Sequence, residues 1–553
     1  MAQRPPHNFT VLLLRKKVHT KRVPIAKSIE EFCRNNPDKT PLILVDLMHI
    51  DQIQFGDRNE TRYRDVCGPN LGQVESFESV FRFLQSRQCR LVFFVDGPDN
   101  RDLHEAQFSA YWTCRKDERY GRDMALIDAL LERDGDYREG LKGFRHIPTD
   151  RILFDSIVST AKQYGDVVHG LENSRLMEMA RYVVDHPETL AVLGKSSSVL
   201  LTADSRELKL WYLPEFNAET MMVTELDSGK VWDEMGLQSK EKRLLMVALL
   251  PGSYVGSHAA SEDVHKTHAV VKKLPEVVRE EQYKDVVRKL FARTGTTWEQ
   301  LKLACELYDV NQITPSEQTD ERLTSFAYDI THNRTSIITV MLNDYRYWTE
   351  RSVDFYQLFV RFYGRLAGVV LKRSGAPTEE AVQRRIFIKR SHEDKFKHEM
   401  IDVEFPDFDF EREGKDDSVT ETTLACLKFI LDFEDMTAIR AFADEDKNRW
   451  KLLDYVTVQF MIKEQMISET LAATIMTAVD TSSSETPALV SRLDLDAFHA
   501  TFMYVRWRQY VREALVNAGF PDAYVDDMCR LDGSRLQLLV QQGGSDAGQN
   551  APS

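Results

Sequence analysis

Two apolar runs, each closed by an aspartate, restrict the possible folds of this chain more than any other feature. Pro41-Leu42-Ile43-Leu44-Val45-Asp46 and Leu91-Val92-Phe93-Phe94-Val95-Asp96 are unbroken rather than alternating. A strand with one wet face alternates apolar and polar residues. An unbroken run belongs instead to a parallel strand covered on both faces. Gly97-Pro98 turns the chain after the second run. The segments around these runs continue the pattern. Val74 to Arg87 and Ser156 to Tyr164 read as helices and Asp166 to His169 as a short strand. A helix starts at Glu172, Ala191 to Gly194 is a strand, and Val199 to Thr202 is a second strand beyond Lys195-Ser196-Ser197-Ser198. Strand and helix in alternation imply right-handed crossovers and an α/β fold with a mostly parallel sheet and helices on both faces. In such sheets functional groups gather beyond the carboxyl ends of the strands, where Asp46, Asp96 and Glu172 are expected to converge.

The remainder divides by composition. Residues 1–40 read as a basic N-terminal extension, in which Arg15 to Arg22 is an import signal, a phosphate-binding arm or simply a solvated segment. Residues 41–255 form the α/β domain, 256–319 a helical extension, and 320–540 a mainly helical C-terminal domain interrupted by an acidic loop at 402–417. Residues 541–553, rich in Gly, Ser and Gln, are expected to be disordered. A formal net charge of −15 means that contact with nucleic acid must come from local basic patches. Seven scattered cysteines with no CxxC pair point to a reducing compartment. No run is long and apolar enough to span a membrane, so no membrane partner is expected. The chain is placed in the cytoplasm, with entry into the nucleus left open.

Cleavage of a phosphodiester with two metal ions requires a cluster of carboxylates to hold two hard cations close together. The order of segments from Pro41 to about Val271 resembles that of the flap-endonuclease and XPG-type branch of the PIN-like nucleases. Within that branch it is most similar to the asteroid-like, PPAR-gamma-constitutive-coactivator-like and Mkt-type regulators. The marks that carry the resemblance are Leu44-Val45-Asp46, Phe93-Phe94-Val95-Asp96-Gly97, the helix at Glu172, Val192-Leu193-Gly194 with its polar triplet, and Leu249-Leu250-Pro251-Gly252-Ser253-Tyr254. It implies that Asp46, Asp96 and Glu172 stand at inherited metal-binding positions. Ser174, Ser196, Ser198 and Ser253 fall where the family carries further acids. Hydroxyls are neutral and do not supply the charge that concentrates divalent ions. The chain also lacks the family's Met-Gly start near the active site and its Gly-rich helical hairpin. A rival register takes Thr202-Ala203-Asp204 as the end of a PIN-type strand and gives a four-acid set of Asp46, Asp96, Glu172 and Asp204.

Each acid also has a plainer role open to it: Asp46 as a helix cap, Asp96 as a turn former, Glu172 as a charge at a helix N-terminus. Arg115, Lys116, Arg119 and Arg122 share a helical face that meets phosphates or only solvent. The stripe Tyr345, Trp348, Phe355, Tyr356, Phe359, Phe362 and Tyr363, beside Arg346, Arg351, Arg361 and Arg365, is a stacking platform for bases or a packed core. His258, His265 and His268 have no Cys partners at zinc spacing. The resemblance thus implies a catalytically degenerate PIN-like pseudonuclease, an RNA-associated or protein scaffold in post-transcriptional regulation. No cofactor is expected, RNA or ribonucleoprotein components are its partners, and proteins bind through the helical half. The alternatives are an active nuclease using Mg or Mn in the Asp204 register, and a protein adaptor that binds no nucleic acid.

Overall fold

A computed structural model describes residues 20–53, 66–68, 71–96, 125, 151–170, 175–249, 285, 298–313, 325–331, 355–375, 383–388, 397–408, 410, 419–480, 490, 492–525 and 528–549. They form two units. The first takes in the described residues of 20–53, 77–96 and 161–313, and the second those of 66–76, 151–160 and 325–549. These units are not the linear blocks expected from composition. Pieces from within residues 41–255 belong with the helical half of the chain.

The first unit is built on a seven-stranded sheet. Its strands are β1 (Thr20–Pro24), β2 (Leu42–Asp46), β3 (Arg90–Asp96), β4 (Asp166–Gly170), β5 (Thr189–Gly194), β6 (Lys209–Asn217) and β7 (Met222–Asp227), in spatial order β1-β7-β6-β5-β2-β3-β4. The five strands from β6 to β4 are parallel; at one side β7 runs antiparallel to β6, and β1 antiparallel to β7. Every residue of β2 and β5 is buried, as unbroken apolar runs require, whereas β4 at the edge is partly exposed. On one face, Leu42, Leu44, Val92, Phe94 and Val192 pack against α4 (Arg175–Asp185), α5 (Val199–Thr202), α6 (Ser228–Met235) and α7 (Lys240–Leu249). On the other, Phe81 of α2 (Leu71–Ser86) meets Phe93 edge-on at 4.9 Å between ring centroids. In chain order α1 (Ile25–Asn35) follows β1 and α8 (Trp298–Leu307) follows α7, while α3 (Arg151–Ala161) falls in the second unit up to Thr160. Full burial of one such Leu or Phe side chain contributes roughly 1.5–3 kcal/mol.

Three segments of this unit differ from the sequence reading. Val199–Thr202 is one turn of α-helix rather than a strand, closed by Thr202 N–H to Ser198 O at 3.0 Å and Ala203 N–H to Val199 O at 3.0 Å. All four of its residues are buried, and so short an apolar run carries no period to separate the two structures. Lys209–Asp227, which the sequence reading left unassigned, supplies the β6–β7 hairpin. Thr20–Pro24 is not part of a free basic extension: it pairs along β7 and leads into α1, leaving Lys21 and Arg22 exposed on an edge strand. Charged residues there suit an edge that must not recruit another strand.

The second unit is mainly helical, with α9 (Ser325–Thr331), α10 (Phe355–Arg373), α11 (Glu421–Leu431), α12 (Thr437–Ala443), α13 (Leu452–Lys463), α14 (Glu469–Asp480), α15 (Leu495–Ala518) and α16 (Gly533–Gln549). It also holds an antiparallel ribbon, β8 (Gln383–Ile388) with β9 (Lys397–Asp402), which the helical reading omitted. The described part of the aromatic stripe is core: Phe359 stacks on Trp507 at 5.1 Å, Phe362 and Tyr363 are buried beside Tyr510, and Tyr356 packs against the same cluster. Arg361 and Arg365 are taken up by Asp432, Glu464 and Glu404. Tyr345, Arg346, Trp348 and Arg351 lie outside the described residues.

The acidic segment at 402–417 is not a free linker over its described part. Asp402 ends β9, and Val403, Phe405, Phe408 and Phe410 pack on the core. Glu404 N–H donates to Gly364 O at 3.2 Å, and Lys372 Nζ donates to Pro406 O and Phe408 O at 3.0 and 2.7 Å. A Cβ on Gly368 would stand 1.8 Å from Glu404 O, so only glycine admits this strand of chain. The tail expected to be disordered continues α16 as far as Gln549. Among the described residues no helix is long and apolar enough to cross a membrane.

Candidate functional site at the carboxyl edge of the sheet

The order of the parallel strands places a crevice. From β2 the chain winds outward through β3 to β4, returns to form β5 on the other side of β2, and continues to β6. Winding reverses between β2 and β5. At such a switch point the two flanking connections leave in opposite directions and open a cleft beyond the strand ends. Asp46 ends β2 and Gly194 ends β5. The two are so close that a Cβ on Gly194 would lie 3.4 Å from Asp46 Cβ and 3.7 Å from its Oδ2.

Asp46 is 1% exposed and leads into a 3-10 turn, Leu47–Gln52, without a side-chain capping hydrogen bond to it. Its carboxylate meets two side chains, besides the Met48 backbone N–H. Arg175 Nε, at the first residue of α4, lies 3.1 Å from Oδ1, and His49 Nδ1, three residues along the turn, lies 3.0 Å from Oδ2. Oδ1 is in ion-pair range of the guanidinium yet receives no hydrogen bond. Burial by itself would raise the Asp46 carboxyl, but Arg175 and then His49 outweigh it and hold the group below its ordinary value. The acid is therefore ionised and neutralised from within the chain.

The neighbouring strand brings hydroxyls. Ser196, Ser197 and Ser198 follow Gly194 after one intervening residue, Lys195; Ser198 N–H points at Ser196 Oγ at 3.4 Å, and Ser197 is fully buried. Asp96 ends β3, paired through its backbone with Gly170 and two residues beyond Phe94, the partner of Asp46. The topology thus brings Asp46, Asp96 and the Ser196 to Ser198 triplet to one edge. Glu172, Ser174, Ser253, Arg115, Lys116, Arg119 and Arg122 lie outside the described residues, as do His258, His265 and His268.

Asp204 is at the other edge. Gly229 N–H donates to Arg206 O at 2.9 Å and Ser228 N–H to Leu208 O at 3.0 Å. Those bonds fix the segment beside Lys209, where β6 starts, level with Ala191 and Ile43 near the starts of their own strands. Asp204, in the left-handed region at φ 46°, pairs with Arg243 of α7. The Arg243 guanidinium is buried over the Trp232 ring at 3.8 Å and donates to Gln238 O at 2.9 Å. The rival register therefore does not bring Asp204 to Asp46.

Sequence reasoning missed Arg175, His49 and Gly194. The Asp46-x-x-His49 spacing was a readable signal for the turn, because residues three apart on a 3-10 helix eclipse. Arg175 had none, since its contact is made across the fold. A pair of divalent ions needs several oxygen ligands carrying net negative charge. The side chains described at this edge offer one carboxylate already opposed by a guanidinium, together with neutral hydroxyls, and that donor set does not fit the pair. No protein-family model matches the chain, and no curated protein is significantly similar to it.

Proposed function

We propose that this chain is a catalytically degenerate PIN-like protein, related to the XPG and flap-endonuclease branch, that works as a non-catalytic scaffold in RNA regulation. The observation that carries the proposal is the neutralised Asp46 at the switch point, with serines just beyond the end of the adjacent strand. The doubly wound sheet order and the acids ending β2 and β3 support the PIN-like assignment. Its association with RNA rests on the resemblance to the Mkt-type and coactivator-like proteins.

In this role the edge of the sheet is a binding and packing surface, and no reaction step passes through it. The test has two arms. The purified chain, supplied with Mg²⁺ or Mn²⁺, is expected to leave flap, hairpin and single-stranded substrates intact; cleavage abolished by Asp46→Ala would refute the non-catalytic assignment. Ultraviolet crosslinking in cells is expected to recover RNA. Stable co-purifying proteins with no RNA would move the proposal to a purely protein-binding adaptor.

A further inference from the structure

We infer that Arg175 does inside this protein what a divalent cation does in a working site of the proposed class: it is the built-in counter-ion of Asp46. The inference rests on the degenerate-nuclease reading and deepens it. A buried carboxylate without a compensating charge is costly enough that proteins pair it, coordinate a metal with it or protonate it. Here the geometry supplies pairing. Arg175 Nε stands 3.1 Å from Oδ1, with only 12% of the Arg175 side chain and 2% of the Asp46 side chain exposed.

Three features make this a substitution for a cation rather than an ordinary surface bridge. The pair sits at the reversal of winding, where the crevice opens. Arg175 is the first described residue of α4, so its side chain is carried by a regular element rather than a surface loop. The adjacent strand end carries Ser196 and Ser198, which need no cation of their own. The guanidinium is bonded to the chain itself, so this counter-ion is permanent, where a metal ion would come and go. The first unit should therefore keep its fold in the presence of a chelator. Asp46 should become accessible to a hard cation only when the guanidinium is removed.

Thermal unfolding of the full chain tests this, with MnCl2 as the probe and NaCl at matched ionic strength as control. The wild-type midpoint is expected to be the same in EDTA and in millimolar MnCl2. Arg175→Met should lower the midpoint by several degrees and regain part of the loss in MnCl2 but not in NaCl. Adding Asp46→Asn to that variant should abolish the manganese response. Arg175→Lys, which keeps a cation there and guards against a misfolded Met variant, should stay near wild type with no manganese response. A manganese-insensitive Arg175→Met, or a manganese-sensitive Arg175→Lys, overturns the counter-ion assignment and leaves the non-catalytic reading standing. A wild-type midpoint raised by manganese overturns the non-catalytic reading itself.

Discussion

Asp46→Asn keeps the size of the side chain and deletes its charge, which isolates the electrostatic part of the site. The wild-type carboxylate is 1% exposed and opposed by Arg175 and His49. Removing one member of a buried pair costs about 3–5 kcal/mol, chiefly through the charge left behind. The Arg175 side chain is 12% exposed and keeps other contacts, so water and neighbours recover part of that cost. The expected loss at neutral pH is about 2–4 kcal/mol. The pH dependence has a definite sign. The folded carboxyl lies below its ordinary 3.8, so its contribution is complete above that value and is lost as pH falls through the folded value. Urea unfolding of the two proteins at neutral pH and at steps down to about pH 3 measures the gap. It should be widest at neutrality and close only in the acid range. A gap under about 1 kcal/mol at neutral pH, or one that stays constant into acid, would refute the reasoning.

Other expectations follow from geometry elsewhere in the chain. Asp454 and Arg508 form a buried pair with Nε 2.6 Å from Oδ1, Tyr504 donating to the same oxygen, and Asp454 Oδ2 without a hydrogen bond. Arg508→Met should cost about 3–5 kcal/mol in urea unfolding, while Asp454→Leu with Arg508→Met should cost far less, since the uncompensated charge is gone; equal losses would contradict this. Gly368→Ala places a methyl 1.8 Å from Glu404 O, so the chain from Val403 to Phe410 must lift, at a cost of about 3 kcal/mol. Limited proteolysis should then cut within that segment, and an uncut variant of native stability would count against the packing described. Asp204→Ala should lower stability by about 1–2 kcal/mol through the loss of the Arg243 contact, with no change in metal uptake by calorimetry.

The sequence disclosed the sheet wherever burial on both faces left an unbroken apolar run: β2, β3 and β5 fall within a residue or two of their expected bounds because no other structure hides such runs so completely. It did not disclose Val199–Thr202, where four apolar residues fit a helical turn and a strand alike. The β6–β7 hairpin stayed hidden because Trp211 and Glu225 satisfy each other across strands, Nε1 to Oε2 at 3.1 Å, a pairing invisible until the chain is folded. The acidic composition of 402–410 suggested solvent, yet its carbonyls and phenyl rings, rather than its charges, decide where it lies. At the candidate site the same divide holds. Aspartates at strand ends can be read from spacing, but the arginine that opposes Asp46 comes from 129 positions further along and is fixed by topology alone.

The central claim is that the crevice between β2 and β5 supplies its own positive charge. Isothermal titration of the metal-stripped full-length chain with MnCl2 tests it most directly. Heats no larger than dilution are the expected result; saturable uptake of two manganese ions per chain, lost in Asp46→Ala, would contradict it.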